Sequence, residues 1–119
     1  MFSVDTTTNQ ITLSRGDTGA FTITVDGYTF GENDRCLFTI KSGTGQIVKQ
    51  KAYPMENNAF TVTLFNADTD KFTPGGYSWD VRYVINPYYD EKGDIVDGDQ
   101  VLTPTLPLPM NLLTVVGDI

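Results

Sequence analysis

With 119 residues, 39% of them hydrophobic and only 19% charged, the chain has the length of one domain and can form a core without a metal or a disulfide. Eight basic residues against fifteen acidic ones give a formal net charge of −7, which argues against nucleic acid, whose binding needs clustered Lys and Arg, and against an anionic membrane surface. There is no histidine and one cysteine, Cys36, which removes Ser-His and Cys-His nucleophile pairs, the usual zinc ligand sets and any internal disulfide.

The first residues, Met1-Phe2-Ser3-Val4-Asp5, have neither a basic n-region nor an apolar h-region. No apolar run approaches the ~20 residues of a membrane span. The expected location is the cytosol, unless the chain leaves inside a larger assembly.

In chain order, Ile11 and Leu13 flank Thr12, and Phe21, Ile23 and Val25 alternate with Thr22 and Thr24. Cys36, Phe38 and Ile40 alternate with Leu37, Thr39 and Lys41; Ile47 and Val48 open a run through Lys51. Phe60, Val62 and Leu64 alternate with Thr61 and Thr63, and Tyr77, Trp79, Val81, Tyr83 and Ile85 with Ser78, Asp80 and Arg82. A period of two predicts strands with one face on a core and one in water. The turn signals between them are Arg15-Gly16-Asp17, Asp26-Gly27, Ser42-Gly43-Thr44-Gly45, Glu56-Asn57-Asn58 and Thr73-Pro74-Gly75-Gly76.

Asp68-Thr69-Asp70-Lys71 predicts one helical turn capped by Asp or Thr. Tyr88 to Asp94, after Pro87, predicts a loop or hairpin tip, and Val101-Leu102-Thr103 a returning strand. Pro104, Pro107 and Pro109 predict an extended edge segment carrying Leu106, Leu108 and Met110, before a last strand at Leu112–Val116. Together these make one all-β domain, residues 1–119, an antiparallel β-sandwich or small barrel of about seven to eight strands. The expected core is Phe21, Ile23, Val25, Phe38, Ile40, Phe60, Val62, Leu64, Tyr77, Trp79, Val81 and Val115, with Cys36 as a small core residue.

No catalytic, cofactor or metal residues are assigned. Paired carboxylates suffice for glycoside hydrolysis, but most of the acids sit in turns, where solvation keeps them ordinary. Asp90, Glu91, Asp94, Asp97 and Asp99 offer oxygens to a cation, yet their spacing departs from the helix-flanked calcium loop, and a solvated hairpin tip turned by Gly93 and Gly98 is the simpler reading. Arg15-Gly16-Asp17 spells an adhesive tripeptide but is read as a turn in which Asp17 bonds the backbone two residues on. Tyr88 and Tyr89 form an aromatic pair suited to anchoring a protein or stacking on a sugar.

Several stretches share an order seen elsewhere: Ile11-Thr12-Leu13-Ser14-Arg15-Gly16-Asp17-Thr18 with Phe21–Val25, then Cys36-Leu37-Phe38-Thr39-Ile40-Lys41 with Ile47-Val48-Lys49, then Asp68-Thr69, then Pro74-Gly75-Gly76-Tyr77-Ser78-Trp79-Asp80-Val81. This order resembles the N-terminal immunoglobulin-like domain of phage baseplate upper proteins, with its "RGDT" start, its strand ending in Lys, its "DT" turn and its G-x-Y-x-x-D strand, here from Gly76 through Tyr77 to Asp80. The step at Pro74–Tyr77 also resembles the turn before the penultimate strand of fibronectin type III domains. In the baseplate family the domain heads a longer chain bearing host-recognition parts, so a chain of this length implies a small tail or head accessory protein.

The resemblance implies a non-catalytic structural module of a phage or prophage tail or baseplate, whose partners are other tail or baseplate proteins or further copies of itself. The candidate interface is Tyr88, Tyr89, Leu106, Leu108 and Met110. The alternative is a carbohydrate-binding or adhesion module on the same sandwich.

Overall fold

The computed structural model describes residues 2–5, 7–25, 27–103 and 112–116. Among them run β1 (Ser3–Val4), β2 (Ile11–Ser14), β3 (Gly19–Thr24), β4 (Arg35–Ser42), β5 (Ile47–Pro54), β6 (Ala59–Leu64), α1 (Asn66–Thr69), β7 (Gly75–Tyr89), β8 (Ile95–Leu102) and β9 (Leu112–Val116). The larger sheet has the order β1-β2-β9-β7-β4-β5 with β8 also on β7; β3 and β6 form the smaller sheet.

The length of β7 organises the larger sheet. Tyr77 to Val84 pair with β4 along one edge. Gly75–Ser78 pair with β9, and Tyr83–Tyr89 pair with β8. Both stretches overlap the β4-paired one, so β8 and β9 must follow each other along the opposite edge. The second half of β7 and all of β8 thus form a hairpin that runs past the start of β4. The pairs are antiparallel except β2–β9, which is parallel, a departure from the all-antiparallel expectation. Nearly the whole chain separates those two strands, so no tight turn constrains their direction.

The small sheet covers the large one through its aromatic side chains. The Phe21 ring lies 6.1 Å from Phe38 and 5.8 Å from Trp79, and Phe60 lies 5.8 Å from Tyr83, each edge-on or nearly so. Such pairs add about 0.5–1.5 kcal/mol beyond their buried area. The result is an all-β, immunoglobulin-like sandwich. Of the expected core, Phe38, Ile40, Phe60, Val62, Leu64, Trp79, Val81 and Val115 are buried, as is Cys36. Phe21, Ile23, Val25 and Tyr77 are only partly buried and pack against the core from its margin: the first three lie on or just after β3, whose two-stranded sheet is too narrow to seal its own inner face, and Tyr77 lies near the start of β7. Ile11, Leu13, Tyr53, Met55, Phe72, Tyr83 and Leu113 complete the interior.

The edge strand β5 turns charge inward. Lys51 pairs with Phe38, Lys49 with Ile40 and Tyr53 with Cys36, so both lysines share the face of the buried residues. They converge on Asp68 of α1, Lys49 Nζ at 3.1 Å and Lys51 Nζ at 2.7 Å from its carboxylate. Lys51 Nζ and the Tyr53 hydroxyl also donate to the Thr63 carbonyl of β6, at 3.1 and 2.7 Å. These contacts close the β5 side of the sandwich, and inward-pointing charge on an edge strand discourages a further strand from adding there. Burial pushes the Asp68 carboxyl upward, but hydrogen bonds from Lys51, the Phe65 N–H and Lys49 outweigh it, so the group titrates below its ordinary value. Burial, with the Asp68 charge second, pushes the Tyr53 hydroxyl up.

The helical turn starts two residues earlier than its sequence predicts, with Phe65 at the N-cap. Asp68 is the third helical residue, and its carboxylate reaches back to accept the Phe65 N–H at 2.8 Å, satisfying a donor that the helix leaves open. The Arg15-Gly16-Asp17 turn packs against α1. The Asp17 carboxylate accepts the Ser14 N–H at 2.7 Å, so it bonds backward along the chain and not forward as expected. Asn66 Nδ2 and Thr69 Oγ1 donate to the Gly16 and Asp17 carbonyls, each at 2.8 Å.

Candidate functional site

Exposed large apolar side chains concentrate on the β7–β8 hairpin. Of the seven among the described residues, four are Tyr88, Tyr89, Val96 and Val101, and the other three are Ile47, Val48 and Phe65. The sequence predicts a loop or hairpin tip from Tyr88 to Asp94; the hairpin tip is present at Asp90–Asp94, but both tyrosines lie before it on β7, opposite Asp97 and Ile95. Proline is tolerated at position 87 because β4 ends at Arg35, opposite Val84, leaving one edge of β7 without a neighbouring strand beyond that point.

The tip is a compact turn held by one side chain. The Asp90 carboxylate accepts the N–H groups of Lys92 and Asp94 at 2.9 and 3.0 Å, and the Gly93 N–H returns to the Asp90 carbonyl at 3.1 Å. Gly93 has φ +84°, a conformation that glycine reaches without steric cost. Across the strands, the Asp99 carboxylate accepts the Tyr88 hydroxyl and, at 2.9 Å, Asn86 Nδ2. These two donors hold the Asp99 carboxyl below its ordinary value, while the same contact raises the Tyr88 hydroxyl. Asp90 and Asp99 are therefore committed to turn and cross-strand donors. Among the described residues, no three His, Cys, Asp or Glu side chains gather as a metal site would require.

One buried carboxylate orients the hairpin, and sequence reasoning passed over it. Asp34 is 6% exposed; it accepts the Gly31 N–H at 2.7 Å and the Asn86 N–H at 2.9 Å. Asn86 has φ +48°, a left-handed conformation in which Asn is enriched, and it bends β7 as the hairpin leaves the sheet. An open cleft of about 340 Å³ lies under the bend, lined by Asn33, Arg35, Asn86, Pro87 and Tyr89. The Asn86-Pro87 pair was the available sequence signal for this bend; Asp34 carried none, because buried and solvated Asp look alike in a turn-rich segment.

Asp34→Ala leaves two backbone donors without their acceptor, a loss of about 1–3 kcal/mol. Hydrogen exchange is expected to quicken selectively across Asn86–Leu102 while β3 and β6 keep their protection. Uniform loss of protection throughout the chain would mean that Asp34 supports the whole sandwich and not the hairpin alone.

Among the sequence-predicted interface residues, Tyr88 and Tyr89 are together on the hairpin, about half exposed at 48% and 52%. Leu106, Leu108 and Met110 lie outside the described residues. The geometry defines an immunoglobulin-like sandwich with a hairpin that carries exposed apolar and acidic side chains and is hydrogen-bonded at its base to Asp34. No family model, curated protein or solved structure matches the chain.

Proposed function

We propose that this chain is a non-catalytic structural module of a phage or prophage particle, of the tail or baseplate, that works through protein–protein contacts made by the β7–β8 hairpin. The observation that carries the contact reading is the grouping of Tyr88, Tyr89, Val96 and Val101, all exposed, on a hairpin whose base is fixed by Asp34. Tyrosine anchors are characteristic of binding hot spots, since they bring large area with few torsions to freeze. The particle assignment draws on the motif order from Arg15-Gly16-Asp17-Thr18 to Tyr77–Asp80, and the sandwich architecture is compatible with it. Fold alone does not choose a function, so the particle is the place to test it.

Mass spectrometry of tails purified after prophage induction is expected to find the chain at fixed stoichiometry; consistent absence from such particles removes the assignment. Alanine at Tyr88 and Tyr89, with or without alanine at Leu106 and Leu108, is expected to block incorporation while the variant stays folded. Incorporation at the unmodified level would show that the hairpin is not the contact.

A further inference from the structure

The hairpin and the cleft beside α1 carry surrounding charges of opposite sign. The hairpin carries Asp90, Glu91, Asp94, Asp97 and Asp99 against Lys92 alone, five negative charges and one positive, or −4. Away from the hairpin, the exposed Val48 lines a cleft of about 370 Å³ between β5, α1 and the start of β7. Val48, Lys49, Asp68, Lys71, Phe72 and Tyr77 line it. Phe72 and Tyr77 stack there with ring centroids 5.4 Å apart and planes 26° apart. Lys49, Lys51 and Lys71 outnumber Asp68 and Asp70, three positive charges against two, so this end is +1 in a chain of net charge −7.

The geometry points to a second copy of this chain as an occupant of the cleft: the hairpin of one molecule inserts Tyr88 and Tyr89 beside Phe72 and Tyr77 of the next, with its acidic tip against Lys49 and Lys71. A further ring can stack on such a pair at about 4.5–7 Å between centroids. The ammonium groups at the rim meet the carboxylates of the tip at the short range where screening leaves them effective. Hairpin against hairpin would instead set −4 against −4.

A molecule cannot fill its own cleft. Tyr89 shares its cavity with Asn33 and Arg35, by the start of β4, whereas Tyr77 pairs with Ser42 and Lys49 with Ile40, at its end. The strand between them spans seven steps (42 − 35), about 23 Å. Because the two surfaces differ, a single contact leaves a free hairpin and a free cleft on the pair, which then either closes on itself by the reciprocal contact about a two-fold axis or grows until a larger ring closes or a filament forms.

This inference rests on the hairpin being a contact surface and names what it contacts. Sedimentation velocity across the micromolar to millimolar range is expected to show concentration-dependent association, to a closed dimer or beyond. It should be strongest near about 0.15 M salt and weaker near about 1 M, where the Debye length falls to about 3 Å. A hairpin variant (Tyr88→Ala with Tyr89→Ala) and a cleft variant (Val48→Asp with Lys71→Ala) should each lose association at least tenfold. Mixed together they should recover a one-to-one dimer that grows no further, since one intact hairpin and one intact cleft remain between them. A monomeric unmodified chain at every concentration, a hairpin variant that associates normally, or a mixture that stays monomeric each overturns the inference. If the unmodified chain is monomeric but the hairpin variant is still excluded from particles, the hairpin contacts a different protein and the proposed function stands.

Discussion

Phe38→Ala is expected to cost about 4 kcal/mol, within the range for emptying a phenylalanine site, and to lower the melting temperature by about 15 °C for a domain of this size. Phe38 is fully buried. Its ring meets Phe21 of the small sheet at 6.1 Å and Trp79 of its own sheet at 5.6 Å, so removing it opens a cavity where the two sheets join. Trp79 cannot move in to fill the space, because its Nε1 donates to the Asn9 carbonyl at 3.0 Å. The loss would take a large share of the ~5–15 kcal/mol that holds a domain together. Val96→Ala, at a side chain 63% exposed, supplies the contrast and is expected to stay within about 0.5 kcal/mol of the unmodified protein. Urea titration of the two variants measures the difference; a loss below about 2 kcal/mol for Phe38→Ala would mean that the sheets are not joined there as described.

The same residues show why the sandwich was legible in the sequence. Phe60 and Trp79 sit in runs where apolar and polar residues alternate, and Phe38 in one broken only at Leu37; alternation reports directly which face of a strand is buried. β5 and β8 are legible only in part. Lys49 and Lys51 occupy the inward positions of β5 and break the pattern, because an edge strand can satisfy inward charge with a partner such as Asp68, which no local window contains. In β8, Asp97-Gly98-Asp99 interrupts the alternation, so only its end at Val101-Leu102 reads as a strand. There the hairpin stands away from the core, and burial no longer selects residue type.

The β7–β8 hairpin was half legible for a related reason. Tyr88 and Tyr89 were conspicuous as paired aromatics, but their place on a strand depends on Asp34 and Asn86, which are 52 residues apart. Long-range hydrogen bonds of this kind leave no periodic trace. The Arg15-Gly16-Asp17 turn is similar: its type followed from Gly16, while its docking on Asn66 and Thr69 did not.

Asp68→Asn is expected to have the second largest effect, and it carries a pH signature that cavity formation lacks. The carboxylate is the shared partner of Lys49 and Lys51 and the acceptor for the Phe65 N–H. With the amide in its place, two ammonium groups at the mouth of the core lose their countercharge. Removing one partner of a fully buried pair costs about 3–5 kcal/mol; here the lysine side chains are 33% and 23% exposed, and solvent screening brings the expectation to about 2–3 kcal/mol near neutral pH. Because the folded carboxyl titrates below its unfolded value, its contribution is complete above the unfolded pKa of about 3.9. It is lost as pH falls through the folded value, where proton binding removes the charge from both states. The stability gap between the unmodified protein and Asp68→Asn should therefore be flat from about pH 5 to 8 and narrow steadily below about pH 4. Urea unfolding at a series of pH values measures that gap. A gap that stays constant into acid would assign the loss to the hydrogen bond with Phe65 and not to the lysine pair. Lys51→Met separates the two contributions independently: it keeps an apolar stem but removes the ammonium group, which lies over the Tyr53 and Phe65 rings, and it should reproduce much of the loss at neutral pH while leaving the start of the helical turn in place.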